Sequence, residues 1–91
     1  MNLTIKDIAS YIGSGQYLEI RIFNPNQEGK CLLYEYISID TDTSELCKPY
    51  ENMEVFLIYI DTQSLSNVLV IEVEEWQSKF LYFLNQIKIT S

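Results

Sequence analysis

The sequence predicts an α+β fold: a four-stranded, mainly antiparallel sheet with two helices packed on one of its faces. Three observations predict it. Four stretches are rich in β-branched and aromatic residues, amphipathic stretches of helical spacing stand near both ends of the chain, and polar connections separate the stretches. The predicted order is therefore helix, strand, strand, strand, strand, helix (α-β-β-β-β-α). A chain of 91 residues has room for one hydrophobic core, so we expect a single domain over residues 1–91.

The first helix is predicted over Ile5–Ile12. Thr4 is a residue type that caps helices, and Asp7 stands near the position that a capping box uses. Apolar residues then recur at helical spacing and form one face of the predicted helix. The helix is expected to end before Gly13, because glycine is common where helices stop.

The first two strands are predicted to form a hairpin. Residues 17–23 alternate between apolar and charged side chains, which is typical of a strand with one buried face. The alternation sets Leu18, Ile20 and Ile22 against Glu19 and Arg21. A cluster of turn-forming residues at 24–29 leads into the second strand, residues 30–40. Glu35 interrupts the apolar pattern of this strand, which indicates a β-bulge or a position at the edge of the sheet.

The third and fourth strands are predicted over Val55–Ile60 and Val68–Val73. Every residue of the third strand is apolar or aromatic, which suits a central strand covered on both faces or a strand with one aromatic face exposed. A last helix is predicted from Glu74, and Lys88 near its end matches the helix dipole. Its predicted buried stripe consists of Trp76, Phe80, Phe83, Leu84 and Ile87. Because both helices pack on one face, we expect the other face to be at least partly open.

The chain is acidic, and its charge is unevenly distributed. Thirteen acidic and six basic residues give a net charge of −7 at pH 7. Residues 1–39 hold four acids and three bases, whereas residues 40–91 hold nine acids and three bases. Such a field repels the phosphates of nucleic acids and anionic membranes, and it attracts basic proteins. A surface that merely keeps the domain soluble is the alternative explanation of the charge.

The composition argues against an enzyme and against a metal or cofactor site. The chain has no histidine, and its two cysteines, Cys31 and Cys47, lack the partner set of a zinc site. Its three glycines do not form a phosphate-binding loop. Side chains between Asp40 and Glu51 match several positions of a calcium loop, but Glu45 stands where that loop needs glycine, so we expect a solvated acidic loop. We therefore predict no cofactor, no metal and no catalysis.

The chain is predicted to be cytoplasmic. Its N-terminus lacks the basic and apolar regions of a signal peptide, and no apolar run approaches the ~18 residues of a membrane span. Both thiols are therefore expected to be reduced, small and mostly buried side chains.

Two groups of side chains are the candidates for binding a partner. The first group consists of acidic residues in the connection after the second strand and at the end of the fourth strand. Their carboxylates can stand in for phosphates and meet a basic surface. The connection also has room for one helical turn near residues 44–47. This acidic group consists of Asp40, Asp42, Glu45, Glu51, Glu54, Glu72, Glu74 and Glu75. Tyr34 and Tyr36 form the second group, because tyrosine is enriched among the residues that contribute most to protein interfaces. Alternatively, both tyrosines only cover the second face of the sheet, with their hydroxyls in water.

In size, acidity, aromatic content and lack of a catalytic set, the chain resembles small phage-encoded anti-defence inhibitors of the anti-CRISPR kind. It is equally similar to bacterial immunity proteins that block toxin nucleases. The resemblance implies a nucleic-acid mimic that binds and inhibits a basic target, such as a nuclease or CRISPR effector, without binding nucleic acid itself. The alternative is a structural or assembly module that self-associates through an open sheet face or an edge strand, as a homodimer would.

Overall fold

The structure confirms the α+β class. It is a computed structural model that describes residues 3–25, 29–62 and 66–74. The elements within these ranges are, in chain order, α1 (Ile5–Ala9), β1 (Gln16–Ile22), β2 (Cys31–Ile37), α2 (Thr43–Leu46), a 3₁₀ turn (Lys48–Tyr50), β3 (Glu54–Asp61) and β4 (Val68–Glu74). The last predicted helix, with its stripe from Trp76 to Ile87, lies outside the described residues, so its packing stays a prediction.

The four strands form one sheet in the order β2-β1-β4-β3. β1 runs antiparallel to β2, and β3 runs antiparallel to β4, which confirms both the predicted hairpin and the mainly antiparallel sheet. β1 and β4 lie side by side in the centre and run parallel, with Ile20 opposite Ile71. Among the described residues, β2 and β3 are consequently the two edges of the sheet. Of the two alternatives that Glu35 indicated for the second strand, the edge position is confirmed. Glu35 itself pairs regularly with Leu18, and the β1–β2 register shifts elsewhere, between Ile20 and Arg21, where Leu32 is skipped.

Of the two interpretations of the third strand, the central position is wrong, because β3 is an edge strand. The central place belongs to β4, whose Val70 and Ile71 point to opposite faces and are both fully buried. A uniformly apolar sequence does not tell a central strand from an edge strand. The same side chains are buried when the strand has neighbours on both sides and stay partly exposed when it has only one. β3 accordingly exposes Phe56, Leu57, Ile58 and Ile60.

The hydrophobic core lies between the sheet and the helical elements α1 and α2. One cluster of buried side chains consists of Ile5, Ala9, Leu18, Ile20, Ile37, Cys47, Ile71 and Val73. Burying one such isoleucine completely contributes roughly 1.5–3 kcal/mol, so this cluster is the main stabilising feature of the described part of the chain. The even-numbered residues of β1 face this layer, as the alternation of the sequence predicted.

α1 is shorter than its predicted span of Ile5–Ile12. Its start is as expected: the Asp7 carboxylate accepts hydrogen bonds from the Thr4 backbone N–H at 2.9 Å and from the Thr4 hydroxyl at 3.1 Å. These two bonds lower the pKa of Asp7, the backbone bond having the larger effect. The helix ends at Ala9 because the chain then tightens into turns and reaches Gly15, whose φ of 86° favours glycine.

The connection between β2 and β3 contains the short helical turn that the sequence allowed. Asp42 caps α2, since its carboxylate accepts a hydrogen bond from the Glu45 backbone N–H at 3.2 Å. The buried Cys47 follows α2 and anchors this connection in the core. The 3₁₀ turn is held against β2 by the Tyr50 hydroxyl, which donates to the Leu32 carbonyl oxygen at 3.0 Å.

Candidate protein-binding face

The sheet face opposite the helical layer carries most of the tyrosines, and we call it the tyrosine face. The strand registers define its membership, because residues directly opposite one another in neighbouring strands share a face. Tyr17 lies opposite Tyr36, Glu19 lies opposite Tyr34, and β4 continues the same face. The tyrosine face includes Tyr17, Glu19, Arg21, Cys31, Tyr34, Tyr36, Leu57, Tyr59, Asp61, Val68, Val70 and Glu72.

Three tyrosines form an aromatic cluster at one side of this face. The rings of Tyr17 and Tyr34 stack with centroids 5.3 Å apart and planes at 25°. The ring of Tyr36 meets Tyr17 edge to face, with centroids 5.2 Å apart and planes at 68°. Both arrangements are favourable for aromatic pairs. Tyr34 and Tyr36 nevertheless stay 51% exposed, so the cluster is an ordered aromatic surface that a partner can reach.

Tyr17 was not among the residues chosen from the sequence. It has the same parity in the first strand as Glu19 and Arg21, whose side chains alternate with the apolar ones. Reading the parity one residue further towards the N-terminus would have placed Tyr17 on the face away from the core. Its contact with Tyr34 depends on the β1–β2 register, which the composition of the connecting turn does not specify.

An ion pair lies beside the aromatic cluster. Arg21 Nη2 and Glu19 Oε1 are 2.7 Å apart, and both side chains are mostly buried. A charge-assisted hydrogen bond of this length holds both side chains in one geometry. The pair therefore gives the tyrosine face a fixed polar centre.

Two further groups on this face have raised pKa values. Partial desolvation of its sulfur and then the negative charge of Glu19 raise the pKa of the Cys31 thiol, although the residue is exposed, and Arg21 partly opposes them. Burial and then the charge of Glu72 raise the pKa of Tyr59. Both groups are consequently neutral at pH 7, so they offer hydrogen-bond donors rather than charges to a partner.

The predicted acidic group divides between the two sides of the sheet. Asp40 and Asp42 precede α2, Glu45 lies within it, and all three are exposed in the helical layer. Glu72 belongs to the tyrosine face, as do Tyr34 and Tyr36. Glu51 lies beside the 3₁₀ turn, and Glu54 lies opposite Glu74 at one end of β3 and β4. Glu75 lies outside the described residues.

A cleft of about 300 Å³ separates α1 from α2 and the 3₁₀ turn. It is lined by Lys6, Ala9, Ser10, Ser44, Cys47 and Glu51. Burial raises the pKa of the Cys47 thiol, so this sulfur is protonated at pH 7 and is a poor nucleophile. The cleft therefore offers weaker chemistry than the tyrosine face.

The two cysteines are free thiols in different surroundings. The expected burial is correct for Cys47 and wrong for Cys31, which is exposed. The β-bulge explains the difference, because the shifted register sets Cys31 opposite Arg21 on the tyrosine face of an edge strand. No three potential metal-ligating side chains gather into a metal site within residues 3–25, 29–62 and 66–74. In the same ranges, no helix has the length and apolar character needed to cross a membrane.

No protein-family model matches the chain, and comparisons with curated proteins and with solved structures find no match either. The tyrosine face and the distribution of acidic residues are therefore the features from which a function can be inferred.

Proposed function

We propose that the protein is a small acidic inhibitor that acts by binding a basic, nucleic-acid-handling protein rather than by catalysis. The observation that carries the proposal is the aromatic cluster of Tyr17, Tyr34 and Tyr36 on the tyrosine face of a chain with net charge −7. The cluster supplies the contact, and the acidic surface selects the class of partner.

The aromatic cluster supports binding because it is ordered before a partner arrives. Ring contact with Tyr17 restricts both Tyr34 and Tyr36, so less side-chain entropy is lost when the two exposed rings become buried. Tyrosine also combines a large apolar surface with a hydroxyl, which suits the centre of a protein interface.

The acidic surface supports a basic partner. Glu72 lies on the tyrosine face itself and can pair directly with a lysine or arginine of the partner. Asp40, Asp42 and Glu45 belong to the helical layer, so they contribute mainly to the long-range field that speeds association. Lysine- and arginine-rich channels that bind nucleic acid are the basic protein surfaces that best fit such a field.

The target is proposed to be a nuclease or a CRISPR effector, in line with the resemblance to anti-defence inhibitors. The inhibitor occupies the target's nucleic-acid channel and does not bind nucleic acid itself. We also propose that the protein is cytoplasmic, because its two free thiols fit a reducing compartment.

Capture of partners from a source lysate tests this function. The wild type is compared with a Tyr34→Ala/Tyr36→Ala variant, and Tyr11→Ala serves as the control because Tyr11 is 85% exposed outside the sheet. We expect the wild type and the control to retain a basic protein that high salt releases, and to inhibit its activity on nucleic acid. The double variant should lose both effects. Equal capture and inhibition by all three proteins would contradict the proposal.

A further inference from the structure

The two edges of the sheet differ in their protection against pairing with another strand. An edge strand offers unpaired N–H and C=O groups, and a charged side chain in its middle is one of the features that prevents edge-to-edge association. In β2, Glu35 lies opposite Leu18 and so carries a charge onto the face that bears the core. In β3, the interior Val55–Ile60 contains no charged residue and no proline.

β3 is also apolar on both faces of the sheet. Leu57 lies opposite Glu72 and therefore belongs to the tyrosine face, whereas Ile58 lies opposite Ile71 on the side of the helical layer. The four large apolar side chains Phe56, Leu57, Ile58 and Ile60 are each between 44 and 49% exposed. An exposed apolar strand at an unprotected edge is the feature that favours addition of a further strand.

We infer that β3 is the surface through which two copies of this chain pair, edge to edge and antiparallel, into one continuous sheet. A second copy fits this edge because the interior of β3, Val55–Ile60, carries no charge, so it is the part of this edge where two molecules of charge −7 repel each other least. The other edge cannot take part in the same way, because Glu35 blocks it. Association through β3 alone closes as a two-fold dimer and does not continue into a filament.

The charges at the ends of β3 select the register of the dimer. A two-fold axis at Ile58 would bring Glu54 of one copy beside Asp61 of the other, because the bulge between Val55 and Leu57 removes one position from the pairing. Like charges directly opposite each other destabilise a strand pair. An axis at Tyr59 avoids this contact and sets Ile58 of one copy against Ile60 of the other.

Sedimentation velocity over a range of protein concentrations tests the dimer. The wild type should dimerise, and added salt should strengthen the dimer because it screens the repulsion between the two acidic chains. Ile58→Lys should weaken dimerisation by at least tenfold. Ile39→Lys makes the same change of charge at a residue that is 88% exposed outside the strands, and it should leave the dimer intact.

Cross-linking tests the register independently of any loss of folding. In a Cys31→Ser background, Tyr59→Cys places the two new thiols opposite each other across the axis, and opposite Cα atoms in antiparallel strands are ~4.5–5.5 Å apart, which suits a disulfide. Mild oxidation should yield a covalent dimer, whereas Tyr11→Cys in the same background should not.

Three outcomes would overturn the inference. The first is a wild type that stays monomeric at high salt and high concentration. The second is equal weakening of the dimer by Ile58→Lys and Ile39→Lys. The third is a monomer whose β3 amides are protected from hydrogen exchange at every concentration, which would mean that residues 75–91 of the same chain cover this edge. Failure of the dimer and failure of the proposed function are distinguishable. Partner capture is tested through Tyr34 and Tyr36 on β2 and is weakened by salt, whereas the dimer is tested through β3 and is strengthened by salt.

Discussion

Phe23 stacks on Phe56 with ring centroids 4.0 Å apart and planes at 26°. The two rings join the end of β1 to the start of β3 across the strand between them, since the Phe23 backbone N–H also donates to the Val73 carbonyl oxygen of β4 at 2.8 Å. The β-bulge between Val55 and Leu57 lies at the same place, and bulges commonly redirect a side chain in this way. The stack therefore couples three strands at one end of the sheet.

We predict that Phe23 and Phe56 stabilise the fold as a pair. Phe56→Ala should lower the free energy of unfolding by about 1–3 kcal/mol, less than for a fully buried phenylalanine because Phe56 is half exposed. A double-mutant cycle with Phe23→Ala should give a coupling energy of about 0.5–1.5 kcal/mol in chemical denaturation. The exposed Ile39→Ala is the control, with an expected change below ~0.5 kcal/mol. Additive effects of the two phenylalanine changes would show that the rings do not interact.

Three glycine-to-alanine changes should differ in their effect on stability. A Cβ at Gly29 would clash with the Ile22 carbonyl oxygen, so the backbone has to move, and we expect a loss of roughly 1–3 kcal/mol. At Gly15 a Cβ meets nothing within 4 Å, and the cost of roughly 1–2 kcal/mol comes from its φ of +86°. Gly13→Ala should be the mildest, since the new Cβ would lie 4.0 Å from the nearest atom, Gln16 Nε2. Thermal melts of the three variants give the order directly.

The thiols should react with alkylating agents at different rates and with a defined pH dependence. Cys31 is exposed and Cys47 is buried, so Cys31 should react first in the folded protein. Its reaction should be slow at pH 7 and accelerate only above the ordinary thiol range, because its pKa is raised. Glu19→Gln removes a negative charge beside the sulfur and should shift the pH–rate profile of Cys31 to lower pH in a Cys47→Ser background. An unchanged profile would show that Glu19 does not act on the thiol.

Reversing two acidic residues should weaken partner binding without unfolding the protein. Asp40→Lys with Glu45→Lys is the suitable pair, because Asp42 caps α2 and its replacement would also cost about 1 kcal/mol of stability. Association with the captured basic partner should slow, and affinity should fall at least tenfold, or ~1.4 kcal/mol. Asp40→Glu with Glu45→Asp keeps the charge and is the control. Binding that is indifferent to the reversal, and to salt, would argue for apolar docking through Tyr34 and Tyr36 alone.

Local patterns predicted the strands and their faces well. The alternation between Leu18 and Glu19 correctly assigned the two faces of β1, and Glu35 correctly indicated an edge strand. In each case the pattern depends on which side chains are exposed to water, so residues close in sequence are sufficient to predict the face or the edge position.

Features that depend on distant parts of the chain were not predicted. The uniformly apolar run Val55–Ile60 gave no means of telling an edge from the centre, and the parallel pairing of β1 with β4 has no local pattern. The exposure of Cys31 follows from a bulge, and the contact of Tyr17 with Tyr34 follows from a register. Both are set by the packing of strands against one another rather than by the composition of either strand.

The parallel pairing of β1 with β4 also determines when this sheet can form during synthesis. Ile20 of β1 pairs with Ile71 of β4, about fifty residues later in the chain, so the two central strands cannot pair until β4 has been synthesised. Closing a long loop is entropically costly before its contacts form, so the two hairpin-like pairs are expected to form first and the centre last. Before β4 leaves the ribosome, the nascent chain is therefore expected to contain a β1–β2 hairpin and an apolar β3 that has no neighbouring strand. Chaperone contact with the nascent chain is expected to be strongest in that interval.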